Sequence, residues 1–403
     1  MAISRLERAA KRAELFRVVK RLALPTLITI ALAGVAGAYA VARIAEQGRP
    51  DLALSLMPSL APALGAKADA TIAANVRGEM APMLEARALA QRSLLASPLN
   101  SAALRVIAAT GPQSQGRRLV AASLRLSRRD LGAQLMQIEL DVARNNIPAT
   151  LRHYDQALRV KPSVGTVLYP ILLSATDVPD VLPEIRRLVA TGPEWLAGMI
   201  GWTIENPDYQ RRMARLVDAI PAGSDALAPG LGQALVERLV ERRELAAAFM
   251  VQQTYGRRSR VARFAGGFTY PPIDWTTADT YEARSEIVEG PAPRVRFSAE
   301  ADAHGVFLSR LAALPPGRYR LAFAVEKPAD DSAGTLGLTL SCQSGRQDRA
   351  FSISQIRLAS GRFAQPFTIP PRGCPFQWLR FSVESRQGSV IADLTRVAIE
   401  RAG

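Results

Sequence analysis

The sequence predicts a multidomain α plus β protein with an N-terminal transmembrane helix, an α-helical repeat domain and a C-terminal jelly-roll-like β-sandwich. Three observations predict it. An uncharged apolar run lies near the N-terminus, and apolar residues then recur at every third or fourth position as far as residue 256. From residue 264 onward, short alternating runs are separated by turn residues, a pattern typical of antiparallel strands.

The apolar run is Leu22–Ala42, which carries no charged residue. At about 1.5 Å per residue, a helix of this length just crosses a hydrocarbon layer of about 30 Å. Lys and Arg outnumber Glu in the preceding residues 1–21, and positive charge stays on the cytoplasmic side. The sequence therefore predicts a single-pass bacterial inner-membrane protein with a cytoplasmic N-terminus and the bulk of the chain in the periplasm.

A cleaved signal peptide is the alternative to a retained anchor. Ala36-Gly37-Ala38 and Ala38-Tyr39-Ala40 both match the A-x-A cleavage pattern. The long basic segment and the long apolar run favour retention. Both interpretations take the bulk of the chain out of the cytoplasm.

The composition indicates a globular chain with a strong positive charge. Of 403 residues, 48% are hydrophobic and 22% charged, with a net charge of +15. Such a charge suggests nucleic acid as a partner. Against this, the arginines are spread along the chain, no aromatic-basic groove pattern occurs, and the predicted compartment contains no nucleic acid. The charge favours anionic partners outside the membrane, such as acidic polysaccharide or lipid headgroups, or simply solvated arginine faces.

Breaks in the patterns set the predicted domain boundaries. They are a basic cytoplasmic segment 1–21, the transmembrane helix 22–42, a linker 43–68, the helical domain 69–256 and the sandwich domain 264–403.

Within the helical domain, the segment HYDQALRVKP (His153–Pro162) carries a recognisable pattern. Its Tyr154, Ala157, Leu158 and Pro162 resemble the closing helix of a tetratricopeptide repeat, in which an aromatic, a small residue and a leucine pack on the next helix pair. Such helix pairs bury their faces only by stacking. The resemblance implies a surface for an envelope protein partner, with a spacer that lifts the C-terminal domain off the membrane as the alternative.

The C-terminal region predicts eight strands without helices. In PPGRYRLAFAV, Tyr319, Leu321, Phe323 and Val325 alternate toward one face. The predicted strands are Arg294–Ser298, Gly305–Leu311, Gly317–Val325, Thr335–Cys342, Ala350–Leu358, Phe363–Ile369, Trp378–Ser385 and Val390–Arg401. This number of strands predicts a two-sheet sandwich.

Two segments of the sandwich carry a second resemblance. FAGGFTYPPIDW (Phe264–Trp275) and ADLTRVAIER (Ala392–Arg401) resemble the entry and the last strand of carbohydrate-binding-module-like sandwiches. Together with the anchor and the tetratricopeptide-like helices, the chain is similar to a group of bacterial envelope proteins associated with exopolysaccharide production. The resemblance implies a role in polysaccharide assembly or export and supplies no catalytic residues.

The two cysteines, Cys342 and Cys374, both fall in the sandwich. Because the predicted compartment is oxidising, we expect a disulfide between them, with two buried free thiols as the alternative.

The sequence contains little that indicates catalysis. Its two histidines, His153 and His304, are too few for a zinc site or a convincing triad. No G-x-S-x-G, P-loop or H-E-x-x-H motif occurs. We therefore expect no catalytic residue, no metal and no cofactor.

The best binding candidates are sandwich aromatics, whose apolar faces can stack on sugar rings. They are Tyr270, Trp275, Tyr281 and Trp378. For each of them the alternative role is core packing.

These features favour a non-enzymatic envelope scaffold or accessory protein in polysaccharide assembly or export. We expect it to contact the lipid bilayer, a protein partner through the helices and polysaccharide through the sandwich. The alternatives are a periplasmic polysaccharide-modifying enzyme that uses a pair of carboxylates, and a purely structural protein whose sandwich forms an oligomer interface.

Overall fold

The structure is a computed structural model that describes residues 28–75, 77–256, 268, 270–289, 294–326, 333–344 and 347–402. The basic segment 1–21, the first residues of the predicted span and the stretch 257–267 lie outside the described residues. The chain divides into two compact units, with the boundary after Pro162. The boundaries predicted from the sequence stay predictions.

The first unit is helical throughout its described part. Its helices are α1 (Ile28–Ala45), α2 (Pro50–Leu56), α3 (Ala61–Ala74), α4 (Met80–Ala96), α5 (Ser101–Thr110), α6 (Gln113–Leu126), α7 (Leu131–Val142) and α8 (Ile147–Val160). Helices α2 and α3 already begin within the predicted linker 43–68.

Helix α1 has the length and composition of a membrane span. It is 18 residues long with a mean hydropathy of 1.7, and only 11% of it is buried. Among the described residues, no other helix meets both criteria. A signal sequence near an N-terminus meets the same criteria, so the helix fits both interpretations of the apolar run.

Side-chain caps begin three of the helices in this unit. Asn100, Asp130 and Asn146 precede α5, α7 and α8, and each side chain accepts a hydrogen bond from the backbone N–H three residues later. Short polar side chains at this position satisfy amides that the first helical turn leaves unpaired. The starts of these helices are therefore encoded locally in the sequence.

Helix α8 contains the segment on which the repeat resemblance rests. Its Tyr154, Ala157 and Leu158 are buried, as a packed closing helix requires. Successive helices in this unit pack on one another: α3 on α4, α5 on α6 and α7 on α8. The helical pairing is thus confirmed, whereas the assignment to tetratricopeptide repeats stays a prediction.

The second unit begins with six further α-helices in its described part. They are α9 (Gly165–Ala175), α10 (Leu182–Ala190), α11 (Leu196–Glu205), α12 (Gln210–Ala214), α13 (Pro229–Glu241) and α14 (Leu245–Gly256).

The strands follow the helices in this unit. They are β1 (Thr276–Thr277), β2 (Arg284–Val288), β3 (Arg294–Ala299), β4 (His304–Ala312), β5 (Gly317–Glu326), β6 (Ala333–Ser344), β7 (Gln347–Arg357), β8 (Gly361–Ile369), β9 (Gln377–Gln387) and β10 (Val390–Arg401).

The strands form two five-stranded antiparallel sheets that pack as a jelly-roll-like sandwich. Sheet A has the order β1-β4-β9-β6-β7, and sheet B has the order β2-β3-β10-β5-β8. All eight predicted strands are confirmed, and β1 and β2 are additional. Tyr319, Leu321, Phe323 and Val325 are all buried between the sheets, which confirms their predicted common face.

Candidate functional site

The predicted disulfide is confirmed, and it joins β6 to the loop that leads into the neighbouring strand β9. Cys342 near the end of β6 is bonded to Cys374 in the loop before β9, 32 residues later. Beside the bridge, the backbone N–H of Gln343 donates to the carbonyl oxygen of Phe376 at 2.9 Å. The start of β9 is therefore tied to β6 by a covalent bond and by a backbone hydrogen bond.

Trp378 lies at this braced end of β9, on the outer surface of sheet A. Its indole Nε1 donates a hydrogen bond to Oε1 of Gln343 at 2.5 Å. The guanidinium of Arg380 lies over the same ring, 4.8 Å from its centroid, and also donates to the hydroxyl oxygen of Ser341 at 3.1 Å. A ring held at its edge and packed on one side has few orientations left, so the indole is fixed in position.

Neighbouring outward side chains extend this surface across three strands. Register pairs Trp378 with Ser341, and Arg380 with both Thr339 and Ser309. We call these outward residues the Trp378 face: Ser309, Thr339, Ser341, Gln343, Trp378, Arg380 and Ser382. Ser341 is only 2% exposed and serves to hold Arg380. The indole, the guanidinium and the partly exposed hydroxyls of the other members provide the apolar and hydrogen-bonding contacts that a sugar ring requires.

A glycine lies in the middle of this face, beneath a serine side chain. Gly337 on β6 lies opposite Ser382 on β9. A Cβ at Gly337 would lie only 2.3 Å from the Ser382 hydroxyl oxygen. The Ser382 side chain therefore occupies the space above Gly337, and a larger residue at position 337 would displace it.

The outer surface of sheet B has a different character, because its charged groups pair with one another. Arg296 donates to both carboxylate oxygens of Asp393 at 3.0 and 3.3 Å. Hydrogen bonds to Asp393 raise the pKa of Arg296. Arg320 forms a second ion pair, with Glu400. Because these charged side chains already pair with one another, they are less available to bind a ligand.

Trp275, a predicted glycan contact, lies in the core instead. It is 1% exposed and packs 5.9 Å from the ring of Phe381. The guanidinium of Arg310 lies over its ring at 5.8 Å and donates to the carbonyl oxygen of Ile273 at 3.0 Å. Burial lowers the pKa of Arg310, and the charge of Asp274 opposes this. Trp275 therefore closes one end of the sandwich, and a glycan has no access to it.

Tyr270 is also buried, at 3% exposure, and its ring contacts a helix. Its ring packs edge to face on Tyr255 of α14, with centroids 6.2 Å apart. Its backbone N–H donates to Asp274 at 2.9 Å, and Gln252 of α14 reaches the same carboxylate at 3.3 Å. Burial raises the pKa of Tyr270, with a further rise from the Asp274 charge. Tyr270 joins α14 to the sandwich within the second unit.

Tyr281 is the most exposed of the four candidates, at 78%. It lies in the turn between β1 and β2. In the described part of the chain, no ring contact joins it to Trp378. The structure therefore leaves two of the predicted aromatics accessible, Tyr281 and Trp378, and provides a polar surface only around Trp378.

Sequence analysis missed the polar members of the Trp378 face. The signal was present in β9, where Trp378, Arg380 and Ser382 alternate with the buried Leu379 and Phe381. The partner residues on β6 follow only from the strand order, which the sequence does not provide. Among the described residues, no group of three or more His, Cys, Asp or Glu side chains could hold a metal ion.

In comparisons with known proteins, the sandwich fold of this chain is similar to solved structures. No family model matches the sequence, and no curated protein matches it. Similar solved structures include a TmCBM61 module in complex with β-1,4-galactotriose (17% identity, 32% of this chain and 88% of that chain, TM-score 0.23). Another is a CBM22-1 xylan-binding domain of Paenibacillus barcinonensis Xyn10C (12% identity, 32% of this chain and 87% of that chain, TM-score 0.24). A CBM4 structure shares 11% identity over 32% of this chain and 88% of that chain, with a TM-score of 0.26. Scores this low support no inference about a ligand.

Proposed function

We propose that this chain is a non-enzymatic accessory protein of the bacterial envelope, anchored in the inner membrane, whose sandwich binds polysaccharide on the Trp378 face. Its helices bind an envelope protein partner. The role is in the assembly or export of exopolysaccharide or another envelope polysaccharide.

The observation that carries this proposal is the fixed indole of Trp378. Its ring is held by Gln343 and Arg380, and hydroxyls lie around it. Sugar recognition needs an apolar surface for the ring face and donors and acceptors for the hydroxyls. Since the indole is already ordered, a bound sugar loses less free energy to the ordering of this side chain.

Two further observations support a location outside the cytoplasm. Helix α1 is exposed along most of its length, as a helix surrounded by lipid would be. The Cys342–Cys374 bridge fits an oxidising compartment, because cytosolic proteins keep their thiols reduced. Together they support the export of the bulk of the chain by a retained span.

The test of glycan binding is affinity electrophoresis of the full chain in detergent, in gels that contain purified bacterial polysaccharides. We expect Trp378→Ala to weaken binding by up to about tenfold, because an aromatic contact contributes about 0.5–1.5 kcal/mol beyond its buried area. Ile391→Ala is the matched control, since Ile391 is an exposed apolar residue on sheet B, 46% exposed.

The result that overturns the glycan proposal is an equal affinity of the wild type, Trp378→Ala and Ile391→Ala. Failure of the wild type to bind any polysaccharide of the panel overturns it as well. Thermal unfolding of each variant shows whether a loss of binding comes from a loss of the fold.

The test of the protein partner is a pull-down of the tagged full chain in mild detergent. We expect polysaccharide synthesis or export components in the eluate. Reproducible isolation of the chain alone contradicts the scaffold role but leaves glycan binding standing, so the two parts of the proposal fail separately.

A further inference from the structure

A groove rich in arginine lies in the first unit, between the end of α6, the turn into α7 and the side of α8. Its volume is about 570 Å³. We call it the arginine groove, and its lining residues are Leu124, Arg125, Arg128, Gln134, Arg152, His153 and Gln156. Sequence analysis did not single out this set, because its members lie on three separate elements.

The lining contains three guanidinium groups and no carboxylate. In the described part of the chain, no ion pair or hydrogen bond engages the side chains of Arg125, Arg128 and Arg152. All three side chains are exposed, so solvent screens part of the repulsion between their like charges and leaves part of it in place. A bound anion relieves that repulsion.

The carboxylates nearby are already engaged with other groups. Asp130 accepts from Arg105 at 2.9 Å and caps α7. Asp155 accepts from Arg159, also at 2.9 Å. Asp141 lies 3.8 Å from Nε2 of His153 and accepts from Gln137 at 3.1 Å. Within the described residues of this unit, none of these three carboxylates forms an ion pair with the arginines of the groove.

One wall of the groove is held by a chain of hydrogen bonds. Nδ1 of His153 lies 2.6 Å from Oε1 of Gln134, whose Nε2 donates to the carbonyl oxygen of Arg128 at 2.8 Å. This chain connects α8 through α7 to the turn that carries Arg128. The backbone that carries Arg128 is therefore held in place relative to α7 and α8 before any ligand binds.

The basic surface continues beyond the groove along α8. A second cavity of about 380 Å³ is lined by Arg129, Gln156, Arg159 and Val160. Gln156 lines both cavities, so the two lie next to each other. Two adjacent basic cavities fit an elongated anion better than a single small ion.

The geometry points to an acidic polysaccharide, with carboxylates along its chain, as the ligand of the arginine groove. Guanidinium groups bind carboxylates through paired hydrogen bonds, and the amides of Gln134 and Gln156 suit sugar hydroxyls. A peptide ligand normally anchors in a groove through apolar or aromatic side chains, and Leu124 is the sole apolar residue in this lining. The proposal adds a second site and does not depend on the Trp378 face.

The direct probe is sodium polygalacturonate, titrated into the full chain in detergent. Arg128→Gln combined with Arg152→Gln removes two charges from the groove, and we expect at least a tenfold weaker Kd. The matched control combines Arg92→Gln with Arg118→Gln, which removes the same charge from exposed positions on α4 and α6 outside the groove. We expect this control to bind as the wild type does.

Two further ligands separate the chemical alternatives. Fully methyl-esterified polygalacturonate has the same sugars without the charge, and we expect no binding. Poly-glutamate of equal length has the charge without the sugars, and we expect a Kd at least tenfold weaker than that of polygalacturonate. Equal or tighter binding of poly-glutamate overturns the polysaccharide in favour of an acidic peptide.

A spectroscopic measurement locates the site directly. The chain has two histidines, so an NMR spectrum of histidine-labelled protein contains two sets of ring signals. We expect polygalacturonate to shift the signals of His153 and to leave those of His304 in place, with the same result in the Trp378→Ala variant. Equal loss of affinity in both double variants, or unchanged His153 signals at saturation, overturns the proposal.

Discussion

The indole Nε1 of Trp378 donates to Oε1 of Gln343 at 2.5 Å, and Gln343 directly follows the disulfide-bonded Cys342. The half-buried indole ring is therefore connected through one side chain to the covalent link between β6 and the loop before β9. The proposed binding surface and the disulfide lie at the same end of sheet A.

This relationship gives the first prediction, at Gln343. Gln343→Leu keeps the volume near the ring but removes the acceptor, so the indole loses its fixed orientation. We expect the affinity for polysaccharide to fall severalfold and the free energy of unfolding to fall by about 0.5–1.5 kcal/mol, the net contribution of one hydrogen bond. Affinity electrophoresis and denaturant unfolding measure the two effects. A variant that binds as tightly as the wild type contradicts the orienting role of Gln343.

The second prediction concerns the disulfide. Replacement of both Cys342 and Cys374 by Ala removes a link that closes a loop of 32 residues. In the chain-entropy model such a link contributes about 3–4 kcal/mol. We expect the midpoint of denaturant unfolding to fall accordingly, with no free thiol detected in the unreduced, denatured wild type. Full thiol labelling without reductant contradicts both the bridge and the oxidising compartment.

The third prediction separates the core tryptophan from the exposed tyrosine. Trp275→Ala removes a ring that is 1% exposed, and we expect a loss of about 3–5 kcal/mol in the free energy of unfolding. Tyr281→Ala removes a ring that is 78% exposed, so its change should stay within about 0.5 kcal/mol. Similar losses in the two variants would contradict the placement of these rings.

The fourth prediction concerns the titration of His153. Burial lowers its pKa, Arg152 lowers it further, and Asp141 opposes both. We expect a folded-state pKa below about 6.5, the ordinary histidine value. The arginines that share its groove, Arg125 and Arg128, add positive charge on the same side. Histidine NMR between pH 4.5 and 8 measures this pKa.

The sign of the linked stability follows from that direction. When the folded pKa of His153 is lowered, the unfolded state binds the proton more readily. The contribution of His153 to stability is then complete above about pH 6.5 and is lost as the pH falls toward the folded pKa. His153→Gln should flatten this part of the stability profile. A pKa at or above 6.5 would contradict the effect of burial.

Much of the sandwich is predictable from the sequence because each strand carries its own alternation. β5 alternates so regularly that its buried face can be read directly. β2 was missed because it is short and lies at a sheet edge, where Arg284, Glu286 and Ile287 are all exposed. β1 is only two residues long and has no periodicity to detect.

The candidate site was harder to predict, because it depends on which strands become neighbours. Trp378 is recognisable as an aromatic on a strand, but Gln343 meets it only through the pairing of β6 with β9. Trp275 lies at the entry to the sandwich, outside the regular alternation, so no pattern assigns it a face. The arginine groove likewise requires the packing of α7 on α8 before its residues lie together.

We propose that one apolar helix delivers the body of the chain beyond the inner membrane. The most direct measurement is the activity of alkaline phosphatase and the fluorescence of green fluorescent protein, each fused after Gly403 in separate bacterial strains. We expect phosphatase activity and no fluorescence. Alkaline phosphatase needs the oxidising periplasm to become active, whereas green fluorescent protein folds in the cytoplasm. A fluorescent fusion with an inactive phosphatase would contradict it.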